Sequence, residues 1–243
     1  MGKVLIHLDD VESTNLYANK LVAKSKPSEG TVISTYNQWG GRGQIGSKWL
    51  SEPHKNIAFS AILHPSFLPI QQQFLLNQAV SLAVTDLVQQ YSNGKLEVKW
   101  PNDIYLNGKK LVGILIQGTI AGTKFQSAIV GIGINVNQSE FPPELPNPTS
   151  LRLEENKEFD LEKLVAGLCQ SLERRYLQLR QQKWKQIQGT YLEMLYQREA
   201  WHTYSYPDGT AFQGKITGVS PIGKLIMETE QGVKTFAMKE VHF

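Results

Sequence analysis

The stretch that decides the fold is residues 96–117, LEVKWPNDIYLNGKKLVGILIQ. Its runs Leu96 to Trp100, Ile104 to Leu106 and Lys110 to Gln117 are short and rich in branched apolar residues, which predicts successive β-strands. Asn107-Gly108 is the two-residue signal of a tight hairpin between the last two. Downstream, Ser127 to Asn135 has the same texture. Upstream, Phe74, Leu75, Ala79, Leu82, Ala83, Leu87 and Val88 recur at helical spacing and predict one long core helix over Gln71 to Tyr91. Further out, Ile57 to Leu63 and Thr31 to Tyr36 read as strands, and residues 3 to 9 alternate as a half-buried strand does. Ser13 or Thr14 then caps an amphipathic helix running to about Lys24.

Beyond the proline-rich loop Phe141 to Pro148, helical periodicity extends from Leu161 to about Tyr196. From roughly Arg198 the chain turns to short strands punctuated by Pro207-Asp208-Gly209, Pro221-Ile222-Gly223 and Gln231-Gly232, a small all-β appendix resembling a five-stranded barrel. The domains expected are therefore 1–197 and 198–243. The balance of 25 Lys+Arg against 22 Asp+Glu, with no long basic run, gives no nucleic-acid patch. No run approaches the roughly 20 apolar residues of a membrane span, and no signal-peptide layout opens the chain, so a cytoplasmic protein is expected. The single cysteine, Cys169, lies among Leu161, Leu164, Val165, Leu168 and Leu172, where core packing outweighs catalysis. His54 and His64 are too isolated to pair on a metal, and no protein metal site is expected.

Chemistry concentrates in three places. Gly40 to Trp49, GGRGQIGSKW, frees the backbone to wrap an anion while Arg42 and Lys48 supply charge. The order of its glycines matches neither the dinucleotide fingerprint nor the P-loop. Lys99 to Asp103, KWPND, presents Asn102 and Asp103 beyond a strand end, where turn capping is the alternative role for both. Lys110 returns after the hairpin to the same region, close to a third polar turn at Gly133-Ile134-Asn135.

Ser13-Thr14-Asn15, the GRG core at 41 to 43 with Trp49, KWPND at 99 to 103, GKKLVGIL at 108 to 115 and GIGIN at 131 to 135 together resemble the catalytic domain of biotin protein ligases, in that family's order and approximate spacing. The resemblance covers about residues 1 to 197, and the appendix is similar to that family's C-terminal domain. It implies an α+β fold: a mixed, mostly antiparallel sheet flanked by helices, akin to class II aminoacyl-tRNA synthetases, with a small C-terminal SH3-like β-barrel. It implies an ATP-dependent, AMP-forming ligase that makes biotinyl-5'-AMP, releases pyrophosphate and passes biotin to a lysine of a biotin carrier domain, acetyl-CoA carboxylase being the expected acceptor enzyme. Residue by residue, the resemblance assigns biotin binding to Ser13, Thr14, Asn15, Gln38, Gly41, Arg42, Lys110 and Gly113. It assigns the nucleotide to Arg42, Gly43, Gln44, Trp49, Asn102 and Asn135, and catalysis to Lys110, Arg42 and Asp103. Lys110 is to draw the biotin carboxylate and the α-phosphate together. Asp103 is to orient or deprotonate the acceptor amine. Mg²⁺ is expected to come with ATP rather than in a protein cage.

Two departures from the family pattern stand out. Many members read GRGR, whereas here the second arginine position holds Gln44, and position 47 is Ser where a basic residue is frequent. Some members also carry an N-terminal operator-binding domain, while the first 40 residues here read as catalytic strand, helix and strand, so a dedicated ligase without DNA binding is expected, as monomer or homodimer. The alternatives are a lipoate or octanoate protein ligase or transferase, against which the GRGxxG-to-Trp spacing speaks, and a non-catalytic biotin-sensing module, which would have no need of Lys110 beside Asp103.

Overall fold

The computed structural model describes residues 1–243 except Ile45 and Thr123. The first unit is a sheet of seven strands, β1 (Leu5–Leu8), β2 (Thr31–Thr35), β3 (Ile57–Leu63), β4 (Leu96–Lys99), β5 (Asp103–Leu106), β6 (Lys109–Ala121) and β7 (Lys124–Ile134). They lie in the order β1-β2-β3-β7-β6-β5-β4. Only β1 and β2 run parallel. Their crossover is helix α1 (Thr14–Lys24), as a parallel connection requires. Every other neighbouring pair is antiparallel. The mixed, mostly antiparallel sheet is thus the one expected. At the β5–β6 turn Asn107 and Gly108 both take positive φ, 52° and 77°, the backbone that an Asn-Gly hairpin demands.

Ser13 caps α1, its hydroxyl accepting from the Leu16 amide. The helix packs on one sheet face, where Ala18 meets Ile33, Ile62 and Ile129. The opposite face is covered by α2 (Phe74–Val88), α4 (Leu161–Arg180) and α5 (Trp184–Glu193), burying Phe59, Val130, Ile132, Leu82, Leu87, Leu168 and Tyr191. One helix was expected over Leu161 to Tyr196, but two form. The chain breaks at Gln181 to Lys183, where Gln182 adopts φ 58°, a conformation no α-helix tolerates. The short α3 (Leu151–Glu155), capped by Ser150, was not anticipated, because five residues are too few to display a period.

The second unit is an antiparallel sheet of β8 (Trp201–Ser205), β9 (Ala211–Val219), β10 (Leu225–Thr229) and β11 (Gly232–Phe236), in the order β11-β10-β9-β8. Where five strands were expected there are four, and the remaining pairing is reduced to a Ser205–His242 bridge held by two backbone hydrogen bonds. Its core is continuous with that of the first unit, since Tyr204, Ile216, Leu225 and Met227 join the same cluster as Tyr191 and Leu195. Among the described residues no helix is long and apolar enough to cross a membrane.

Candidate active site

The site-facing side of the sheet owes its hollow to small residues. Strand pairing aligns one transverse row as Lys99, Asp103, Gly113, Gly133, Ala58 and Thr35, from β4 across to β2. The next row places Leu115, Gly131 and Ser60 side by side. With glycine, alanine or serine in the middle of both rows, the floor sinks and leaves a cleft of about 260 Å³. Larger side chains are excluded there by what lies above. A Cβ on Gly131 would stand 2.3 Å from Asn15 Oδ1, and one on Gly133 2.5 Å from the Trp49 ring. Trp49 therefore lies flat on β6 and β7, over Gly113 and Gly133. Gly133→Val is expected to unseat Trp49; on the expectation drawn from the resemblance, that Trp49 serves the nucleotide, it should raise the KM for ATP more than that for biotin, and equal effects on both would count against that assignment.

One end of the cleft is polar but uncharged. Gln38 Oε1 accepts from the Thr14 amide at 2.9 Å and lies 3.3 Å from its hydroxyl. Ser60 Oγ stands 2.8 Å from Thr14 Oγ1 and 2.6 Å from Asn15 Oδ1. The Asn15 amide in turn reaches the Leu115 carbonyl and Gln117. Hydroxyls and amides gathered in an otherwise apolar hollow are the groups that pair the polar edge of a ligand and spare it an unsatisfied burial of a few kcal/mol. Ser60 and Gln117, absent from the sequence-based set, hold this network from beneath. A period-two strand pattern cannot distinguish them from ordinary floor residues.

The other end is charged. The loop from Gly41 closes as a hairpin, with an Arg42–Lys48 bridge and the Trp49 amide donating to the Gly41 carbonyl at 3.0 Å. Gly41 does not line the cleft. Its role is to let the two arms touch, since a Cβ there would meet the Trp49 carbonyl at 2.3 Å. Arg42, Gly43, Gln44, Ser47 and Lys48 line the cleft, while Ile45 of the same loop lies outside the described residues. Arg42 is exposed and pairs with Glu12 at 3.5 Å.

Between the two ends, Lys110 Nζ lies 2.7 Å from Asp103 Oδ2, and both side chains are partly open to the cleft. A β-bulge makes this pair possible. The β5–β6 register passes from Ile104↔Val112 to Tyr105↔Lys110, leaving Leu111 as the extra residue. Without the bulge, Lys110 would share the face of buried Val112. With it, the lysine is turned to the side of Gly113, a re-aiming that bulges commonly serve. Asn102 lines the cleft, its amide donating to the Ile114 carbonyl at 2.6 Å, which fixes the turn before β5. Asn135 does not line the cleft. It is buried, its amide donating to the Thr149 carbonyl at 2.9 Å while Oδ1 has no hydrogen-bond partner among the described residues.

Met238 and Lys239, from the segment after β11, also line the cleft. Nothing in the sequence pattern signalled them, because they reach the site only through the packing of the second unit on the first. Cys169 is a free buried thiol, its pKa raised by burial, and lies away from the cleft. His54 and His64 are likewise outside it. Among the described residues no group of three or more His, Cys, Asp or Glu side chains is placed to hold a metal ion.

One sheet-floored cleft thus joins an uncharged pocket to a glycine loop, with a lysine at the junction. The chain belongs to the biotin/lipoate A/B protein ligase family, whose model matches residues 8–135. It is 32% identical to the bifunctional ligase/repressor BirA of Bacillus subtilis over 246 residues, covering 96% of this chain and 72% of that protein. It is 28% identical to the biotin--[acetyl-CoA-carboxylase] ligase of Paracoccus denitrificans, covering 96% and 97% respectively. Among solved structures, the biotin protein ligase of Aquifex aeolicus in complex with biotin and ATP superposes with a TM-score of 0.81 at 27% identity, covering 99% of this chain and 98% of the other.

Proposed function

We propose that this protein is a biotin protein ligase that condenses biotin with ATP to biotinyl-5'-AMP, releases pyrophosphate, and transfers biotin to a lysine of a biotin carrier domain. The observation that carries this reading is the position of Lys110, on the boundary between the uncharged pocket and the cationic loop of one continuous cleft. There its ammonium faces both anions that must meet, the carboxylate and the α-phosphate, and offsets the charge that grows as oxygen attacks phosphorus. Ser13, Thr14, Asn15 and Gln38 are assigned to biotin's polar edge. Arg42, Gly43, Gln44 and Lys48 are assigned to the phosphates, and Trp49 and Asn102 to the nucleotide side. Asp103 is assigned to the acceptor amine. Gly41, Gly113 and Asn135 support these groups through backbone shape and buried hydrogen bonds.

Residues 1–197 form the catalytic unit in this reading, and 198–243 an appended β unit that reaches the site through Met238 and Lys239. Mg²⁺ enters bound to the triphosphate, consistent with an ion that keeps several waters and takes few carboxylates. The acceptor is the carrier domain of a carboxylase, acetyl-CoA carboxylase being the choice that the relatives' names support. The protein works in the reducing cytoplasm, where a lone thiol such as Cys169 stays unpaired. The test is isotope exchange between ATP and pyrophosphate dependent on biotin, with lipoate as control, followed by mass spectrometry of a carrier domain incubated with enzyme, biotin and MgATP. Biotin-dependent exchange and one added biotinyl group are expected. Exchange driven by lipoate alone would transfer the protein to the other branch of its family.

A further inference from the structure

Behind the Lys110–Asp103 pair stands a second lysine that takes no part in lining the cleft. Lys99, at the end of β4, is the cross-strand partner of Asp103. Side chains so placed project from the same face with their Cβ atoms about 4.5–5.5 Å apart. Its Nζ donates to the Tyr105 hydroxyl at 3.2 Å. Three rings surround it, Tyr105 at 5.2 Å, Tyr196 at 6.0 Å and Phe243 at 4.8 Å from their centroids. Tyr196 follows α5, and Phe243 is the last residue of the β unit, so the rings come from three separate parts of the chain. Among the described residues Lys99 forms no ion pair within 4.0 Å. Lys99 is only half-buried, yet its ammonium is bordered by rings and a phenol rather than by a carboxylate in contact. Burial lowers its pKa from the ordinary lysine value, Asp103 acts to raise it, and Lys110 adds to the lowering. Tyr105 is pushed up to about 12, first by burial and then by Asp103 and Tyr196, so its phenol stays a neutral partner.

Asp103 thus lies between two ammonium groups with different freedom. Lys110 is on the open side and can leave. Lys99 is tied to the Tyr105 hydroxyl and flanked by three rings, away from the cleft. We propose that Lys99 is a positioning residue that shares the charge of Asp103, so that Lys110 can move onto the reacting carboxylate and phosphate without stranding an unpaired carboxylate in the closed site. This rests on the ligase reading of the cleft. If Lys110 were the only counter-ion of Asp103, its transfer to substrate would leave the carboxylate unpaired in a cleft that the ligand has closed to water, a cost that the pair does not carry while the cleft is open.

Two measurements decide it. In ligand-free protein with ¹³C-labelled lysines, the Lys99 Cε resonance, assigned by its loss in Lys99→Arg, reports the titration of its ammonium. Asp103→Asn is expected to move that midpoint to lower pH, since the carboxylate's attraction is lost. Lys110→Met is expected to move it up, since a repelling charge is removed. The groups facing Lys99 are Asp103 and Tyr105 on β5, Lys110 on β6, Tyr196 and the Phe243 ring. An unmoved midpoint in Asp103→Asn would overturn the proposal, whatever the acyl substrate proves to be. In biotin-dependent pyrophosphate exchange, Lys99→Met should lower kcat by roughly tenfold or more, a transition-state loss rather than a binding loss, with the KM for biotin little changed. Lys99→Arg should recover most of the rate, and Lys99→Met in an Asp103→Asn background should cost little further, because both changes cut one interaction. Losses that multiply, or an arginine variant as slow as the methionine one, would reduce Lys99 to a packing role. Absence of exchange in the unmodified protein would instead reject the biotin reading, leaving the titration to judge the shared charge.

Discussion

Lys110→Ala is expected to lower biotin-dependent ATP–pyrophosphate exchange by at least about a hundredfold, the loss typical when one preorganised charge stabiliser is removed from a transition state. The fold should survive. The Lys110 side chain is partly exposed, and the one ion pair it makes among the described residues, to Asp103, opens on the cleft. Pairs so placed contribute roughly 0–1 kcal/mol. Its backbone bonds, from its own amide to the Asn147 carbonyl and from the Thr149 amide to its carbonyl, do not depend on the side chain. Thermal melting close to that of the parent, together with lost exchange, is therefore the expected pair of results. Near-normal exchange in a well-folded variant would remove Lys110 from the reaction and with it the central assignment of the site. The transfer half-reaction separates the roles further. With chemically prepared biotinyl-5'-AMP supplied, the variant should recover part of its ability to label a carrier domain, because the step that brings two anions together has been bypassed.

How far the molecule was legible in advance depended on the kind of signal each residue left. α1 with its Ser13 cap, β3 and the Asn107-Gly108 hairpin came out at or within a residue or two of their observed bounds, because each has a strong local cause: a hydroxyl placed to cap, a run of branched residues, a dipeptide at ease with positive φ. The break between α4 and α5 was missed because apolar periodicity continues across Gln181 to Lys183 while the backbone does not. In the site, the cluster of Lys110 with Asp103 was foreseeable only as proximity. What turns the lysine to the cleft is the bulge at Leu111, and a strand read at period two would have assigned it to the opposite face. Lys99 was visible within KWPND, yet its significance lies in rings separated from it by most of the remaining chain, and contacts of that range leave no mark on local sequence. Met238 and Lys239 illustrate the same limit, since only the docking of the β unit brings them to the glycine loop.

Gln44 is where this chain departs from the commoner GRGR pattern, and retention of the intermediate is where the departure should be felt. The cleft wall formed by the loop carries Arg42 and Lys48 as its cations, and Gln44 stands between them on the same wall. The hairpin is already held in the free protein by the Gly40, Gly43 and Trp49 amides, which donate to the Glu12, Ser47 and Gly41 carbonyls, so retention of a ligand depends on the phosphate contacts its side chains add. An arginine at position 44 would offer one more charge-assisted hydrogen bond to the phosphate, worth roughly 1.5–3 kcal/mol when well formed. By the relation between free energy and rate constants, this corresponds to about a tenfold to hundredfold slower escape of biotinyl-5'-AMP. Gln44→Arg should accordingly retain its adenylate longer, as read by chasing preloaded labelled intermediate with excess unlabelled biotin. Arg42→Ala should release it faster. Among the described residues the Arg42 side chain pairs with Glu12 at 3.5 Å in an exposed position, so its loss should cost the fold little. Faster release should also appear as indiscriminate biotinylation of bystander lysines, because a mixed anhydride in solution acylates whatever amine it meets, whereas one kept in the closed site is shielded from water and from foreign nucleophiles. Equal release from Gln44→Arg and the parent would mean that the glutamine already makes an equivalent contact or that retention is controlled elsewhere in the cleft, and unchanged bystander labelling by a fast-releasing Arg42→Ala would separate escape from promiscuity.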